Sequence, residues 1–151
     1  MVENLSRVNK LFNDLYNVIK IGDINFHRFV DGSLDPIHIM ETELMGAERW
    51  KETHKKLQVK ISGDPVLERI IKGETVYIYD VPNDPKSSPA FASFGIKSLV
   101  VYPLFKDVTN KDKAIGLICI PALDKKTEIK LEIIEKCGKI VEDFNATYDN
   151  I

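Results

Sequence analysis

Two apolar runs separated by a polar stretch decide the fold. They are Ile96-Lys97-Ser98-Leu99-Val100-Val101-Tyr102-Pro103-Leu104-Phe105 and Ala114-Ile115-Gly116-Leu117-Ile118-Cys119-Ile120-Pro121. Both are dominated by β-branched, aromatic and leucine side chains, which suit a pleated, packed surface. Neither alternates apolar with polar: Leu99 and Val101 fall on one face, Val100 and Tyr102 on the other. A short, continuously apolar strand belongs at the centre of a sheet that is covered on both sides. Residues 106–113 between the runs are mostly charged or polar, so the two strands form an antiparallel hairpin.

Working upstream, Thr75–Val81 reads as a further strand. Before it, Asp64-Pro65 supplies an N-cap and a first-turn proline, and Gly73 a stop, for a short helix carrying Val66, Leu67, Ile70 and Ile71. Residues 82–95 contain Pro82, Pro85 and Pro89 with Asn83, Asp84, Ser87 and Ser88, a composition that no regular element absorbs. A loop this long inside a compact domain usually covers something. It ends in one helical turn around Phe91 and Phe94. Further back, residues 44–57 read as a helix with Ala47, Trp50, His54 and Leu57 on one face. Strands at 24–30 and 37–43 flank the turn-rich stretch 31–36.

The two ends of the chain are amphipathic helices. Leu5, Val8, Phe12, Leu15 and Ile19 make one stripe over residues 2–20, with Gly22 as the stop. Thr127 caps a second helix over 128–148, with Ile129, Ile133, Cys137, Ile140, Val141, Phe144 and Tyr148 inward. The expected fold is α+β: an antiparallel sheet of five to six strands, the terminal helices on one face, the middle helices and the long loop roofing the other. Length agrees with a single domain over residues 1–151, at 17.2 kDa.

Composition narrows the function classes. Lys and Arg number 21 against 23 Asp and Glu, which removes the broad basic field of a nucleic-acid module. No apolar stretch approaches bilayer length and the first residues lack a signal-peptide pattern, so we expect a cytoplasmic protein with no membrane partner. Two cysteines, Cys119 and Cys137, are too few for a disulfide framework. Cys119 sits in an apolar strand run and Cys137 at an inward position of the last helix, as core residues do.

Three runs, in order, carry a family resemblance. Gly73-Glu74-Thr75-Val76-Tyr77-Ile78-Tyr79-Asp80-Val81, preceded by the short helix from Asp64, resembles the middle of a GAF domain. Gly95-Ile96-Lys97-Ser98 through Pro103-Leu104 is similar to a later strand of that family, and Ile115-Gly116-Leu117-Ile118-Cys119-Ile120 to the next. The match is clearest over 64–148. The resemblance implies a GAF/PAS-like, profilin-like architecture and a regulatory module holding a small molecule between sheet and roof. Carried onto this chain, the pocket elements are residues 44–60, residues 79–95 and the strand bearing Ser98, Val100 and Tyr102. It also implies a homodimer through the first and last helices, and a separate signalling protein as reader, since no output domain is expected after residue 148. The signature of cyclic-nucleotide-binding members is absent. The chain has no cysteine over residues 1–118, where methionine-sulfoxide-reducing members place theirs.

The candidate ligand-binding residues are Trp50, Tyr79, Asp80, Phe91, Phe94, Ser98 and Tyr102. Aromatic walls with few fixed polar groups are what small-molecule sites use. Each aromatic has an alternative use as filling for the roof-side core, and Asp80 an alternative as a cap for the loop's backbone amides. His27 and His38 fall on one face if Asp31 pairs with Pro36, but no third metal ligand accompanies them. His54, one turn after Trp50, is either a pocket wall or a packed helix histidine. No nucleophile–base pair, phosphate loop or metal-ligand motif is present, so neither an enzyme nor a particular cofactor is indicated. The leading expectation is a sensory domain, and the alternative a dimerisation scaffold with its pocket filled by side chains.

Overall fold

The computed structural model describes residues 2–40, 46–106 and 113–147. In chain order the elements are α1 (Val2–Ile19), β1 (Asn25–Val30), β2 (Ser33–Ile39), α2 (Ala47–Leu57), α3 (Leu67–Ile71), β3 (Val76–Ile78), α4 (Pro89–Ser93), β4 (Ser98–Leu104), β5 (Gly116–Ala122) and α5 (Leu131–Thr147). The strands form one antiparallel five-stranded sheet in the order β2-β1-β5-β4-β3. The fold is therefore α+β.

Central β4 and β5 are buried at every position. Their alternate residues feed two separate cores. Val100, Tyr102, Leu104, Ile118 and Ile120 meet Val8, Leu11, Phe12 and Leu15 of α1 and Cys137, Val141 and Phe144 of α5. Leu99, Val101, Leu117 and Cys119 meet the roof, made of Trp50 from α2, Leu67 and Ile70 from α3, and Phe91 and Phe94 from the long loop. The terminal helices pack on each other as well as on the sheet. Leu5, expected on the inward stripe of α1, is instead 46% exposed.

Turn chemistry corrects the first hairpin. Asp31 (φ 51°) and Gly32 (φ 76°) make a two-residue turn, the connection whose positive dihedrals match strand twist. Strand β2 therefore starts at Ser33 rather than 37. Pro36 lies inside it, which an edge strand allows. The register also shifts between Phe26 and His27, so His38 opposes Phe26 and His27 opposes Pro36. The two histidines thus occupy opposite faces: His38 stacks on Phe12 and bonds Asn9 on the helix side. The expected end of this strand at 41–43, and residues 107–112 of the later hairpin, lie outside the described residues.

Two helix starts also differ from expectation. Helix α2, expected over 44–57, begins at Ala47 after Gly46 (φ 80°), and residues 44–45 lie outside the described residues. Thr127 does not cap α5: its amide donates to Ser98 Oγ at 2.8 Å and the Ile129 amide to Tyr77 Oη at 3.0 Å. These bonds tie residues 127 and 129 to Ser98 and Tyr77, and the helix begins at Leu131. Asp64 does work as read: its Oδ1 accepts the Val66 and Leu67 amides, each at 2.9 Å.

Candidate functional site

Between the sheet and the roof lies a cavity of about 30 Å³. Its apolar walls include Leu34, Trp50, Phe91, Phe94, Val101 and Leu117, and its polar groups come from Asp23, Asn25, His27, His54 and Cys119. Strand parity explains the polar floor. Asn25 and His27 are two apart on β1 and pair with Cys119 and Leu117 of β5, so all four share the roof-side face. Close approach of the two strands depends on Gly116, where a Cβ would stand 2.4 Å from the His27 carbonyl oxygen.

The centre of the site is a contact between sheet and roof. His27 Nε2 and His54 Nε2 are 2.9 Å apart, both rings buried. One Nε2–H donates and the other Nε2 accepts, so each ring is a neutral tautomer of opposite kind. Burial lowers the His27 pKa well below the usual histidine range, with the neighbouring His54 adding to the effect. Burial also brings His54 down to about 4. The rings are boxed by aromatics: Trp50 lies edge-on to His27 at 5.1 Å and to His54 at 5.5 Å, and Phe94 lies 4.5 Å from His54. Asn25 Oδ1 and the Nδ1 atoms of His27 and His54 are buried with no hydrogen-bond partner among the described residues. An unsatisfied buried polar atom is costly, on the order of 1–3 kcal/mol, and three of them gather around this one small cavity.

Of the seven sequence candidates, the structure brings three together here: Trp50, Phe91 and Phe94. The other four lie elsewhere. Tyr102 points to the helix side, where its hydroxyl donates to the Ile134 carbonyl at 2.7 Å. Its pKa is raised by burial and by the adjacent Cys137. Ser98 is fully buried on that same face, donating to the Tyr79 carbonyl and accepting the Thr127 amide. The pocket-facing residues of β4 are the alternate set, Val101 among them, so the strand was assigned the wrong face. Tyr79 is 47% exposed beneath Lys126. The Asp80 carboxylate accepts from Asn83 Nδ2 at 3.1 Å and stands 3.6 Å from Lys126, while the Asp84 amide bonds its backbone carbonyl.

The His27–His54 contact escaped sequence reading because it joins a strand to a roof helix 27 residues away. The available signal was parity, which aligns Asn25 with His27, and the Trp50–His54 helical spacing. Among the described residues no group of three or more His, Cys, Asp and Glu is placed to hold a metal ion. Burial pushes the Cys119 thiol up to about 12 and the Cys137 thiol up to about 11, which disfavours the reactive thiolate. No described helix is long and apolar enough to cross a membrane.

No protein-family model matches the chain, and no curated protein matches it. Solved structures do. The photoproduct state of GAF3 from Slr1393 of Synechocystis sp. PCC6803 is similar at a TM-score of 0.72 and 14% identity, covering 97% of this chain and 92% of that one. The GAF domain/HD domain protein from Geobacter sulfurreducens gives 0.72 at 12% identity, covering 93% and 88%. A domain of a two-component sensor histidine kinase protein from Sinorhizobium meliloti 1021 gives 0.66 at 12%, covering 93% and 87%. Sheet order, paired terminal helices and roofed cavity together make the fold of this chain GAF-like over more than nine-tenths of its length.

Proposed function

We propose that this chain is a sensory or regulatory domain that binds a small molecule between its sheet and the roof formed by α2, α4 and residues 82–95. The observation carrying the reading is the cluster of three unpartnered buried polar atoms around one aromatic-walled cavity. A ligand in that position touches elements from both layers, so its binding energy is spent on the spacing of roof and sheet. One structural neighbour is by its name a domain of a two-component sensor histidine kinase protein, which supports the sensory reading. Signal leaves through the terminal helices, which share β5 and β1 with the cavity but on the opposite face. We further propose that these helices pair in a homodimer in the cytoplasm and that a separate protein reads the change. No catalytic step is part of this reading.

Native mass spectrometry beside denaturing mass spectrometry tests it. A small extra mass per chain, present only under native conditions, is the expected result. A clean protein mass, with a melting temperature unmoved by a metabolite panel, replaces it with the second reading: a dimerisation scaffold whose roof is filled. The specific observation on that side is the cavity's size, about 30 Å³, room for roughly two waters.

A further inference from the structure

We propose that the ligand is an uncharged molecule bearing a hydrogen-bond donor and acceptor side by side, an amide, lactam or azole edge, and that it inserts between His27 and His54 in place of their mutual hydrogen bond. This rests on the reading of the cavity as a ligand site and names the chemistry that site selects.

The argument starts from tautomers. In the closed pair, one Nε2 is a donor and the other an acceptor, 2.9 Å apart. Separating the rings leaves one buried donor and one buried acceptor facing each other, and only a group offering the complementary two restores both bonds. The far nitrogens repeat the pattern. A ring donating through Nε2 has a bare Nδ1, its partner an Nδ1–H, and neither Nδ1 has a partner among the described residues.

Charge selects further. Among the described residues no lysine or arginine lines the cavity, whereas Asp23 does. A carboxylate or phosphate buried there would meet no countercharge, and a buried unpaired ion is strongly disfavoured.

Size sets the route. Nothing fits between two Nε2 atoms that stand 2.9 Å apart, so entry separates the two layers at the histidine pair. Helix α2 meets the core through two buried residues, Trp50 and His54, so its displacement opens the pair. It is bounded by left-handed backbone at Gly46 (φ 80°) and Gln58 (φ 46°). Flat rings suit the gap because Trp50 and Phe94 already box the histidines.

Histidine labelled with ¹⁵N reads the pair directly, and the chain's 3 histidines include His38 on the opposite face as an internal reference. The probes are pyrazole and 2-pyrrolidone, with tetrahydrofuran, acetate and inorganic phosphate as counterparts. Pyrazole and 2-pyrrolidone are expected to move the ring nitrogens of His27 and His54 and leave His38 in place, while the other three do nothing. In His54→Phe, which keeps the ring against Trp50 and Phe94, pyrazole should bind about tenfold more weakly, the equivalent of ~1.4 kcal/mol. An equal response to tetrahydrofuran, acetate or phosphate overturns the proposal, as does silence to every probe; these comparisons use the wild-type protein and survive a variant that does not fold. An anionic molecule co-purifying in the native mass spectrum would leave the cavity a ligand site and overturn only this assignment of its chemistry.

Discussion

At the residue scale, one atom often ties several elements. Ser98 Oγ bonds the end of β3's strand segment through Tyr79 and the approach to α5 through Thr127. Ser98→Ala leaves both partners short of a bond in a buried place. It should cost about 1–3 kcal/mol in denaturant unfolding while leaving the response of the cavity to probes unchanged. The histidine pair makes the fold sensitive to acid. Both rings have pKa values lowered on folding, His54 to about 4, against about 6.5 in the unfolded chain. The unfolded state therefore binds more protons as pH drops, so their contribution is complete above about pH 6.5 and is lost as pH falls toward 4. Melting temperature measured from pH 7.5 to 4.5 should fall through that window, and less steeply in His54→Phe. A flat profile in the wild-type protein would remove the pair from the account.

At the element scale, the β1–β5 junction and the long loop are the sensitive joints. Gly116→Ala sets a methyl 2.4 Å from the His27 carbonyl oxygen, a clash with backbone that only strand separation relieves. A loss of about 1–3 kcal/mol is expected, together with displaced His27 signals, because His27 rides on the strand that must move. In the loop, Ser88 Oγ donates to Asp64 Oδ2 and accepts the Ala90 amide, so one hydroxyl joins α3 to the start of α4. Ser88→Ala should raise amide exchange across residues 82–95 while α5 keeps its protection. Exchange rising equally in both would show global destabilisation instead. These joints were partly legible. Asp64-Pro65 announced a helix start, and the proline-rich composition announced the loop. The Ser88–Asp64 bond was not legible, because hydroxyl partners 24 residues apart leave no periodic trace.

At the scale of the whole molecule, the terminal helices form one layer whose outer surface carries apolar side chains, Leu5 of α1 among them. The proposed homodimer places that surface between two chains. Sedimentation equilibrium should give twice the chain mass, and Leu5→Glu should return it to 17.2 kDa without lowering the melting temperature of the monomer. A monomeric wild-type protein would end the dimer proposal. The architecture itself was written in local chemistry. Two doubly apolar strands demand cover on both faces, two amphipathic termini supply one cover, and helices plus a proline-rich loop supply the other. Periodicity of this kind survives in the sequence because burial of one face is a repeating constraint. Which face of β4 looks at the cavity was not determined this way: Leu99 and Val100 are equally apolar, so only packing against Tyr77, Thr127 and α5 assigns Ser98 and Tyr102 to the helix side. The meeting of His27 with His54 was likewise a tertiary decision. It depends on a two-residue turn, an irregular register beside His27 and the docking of α2, each a matter of distance in space that neither histidine's neighbours in sequence encode.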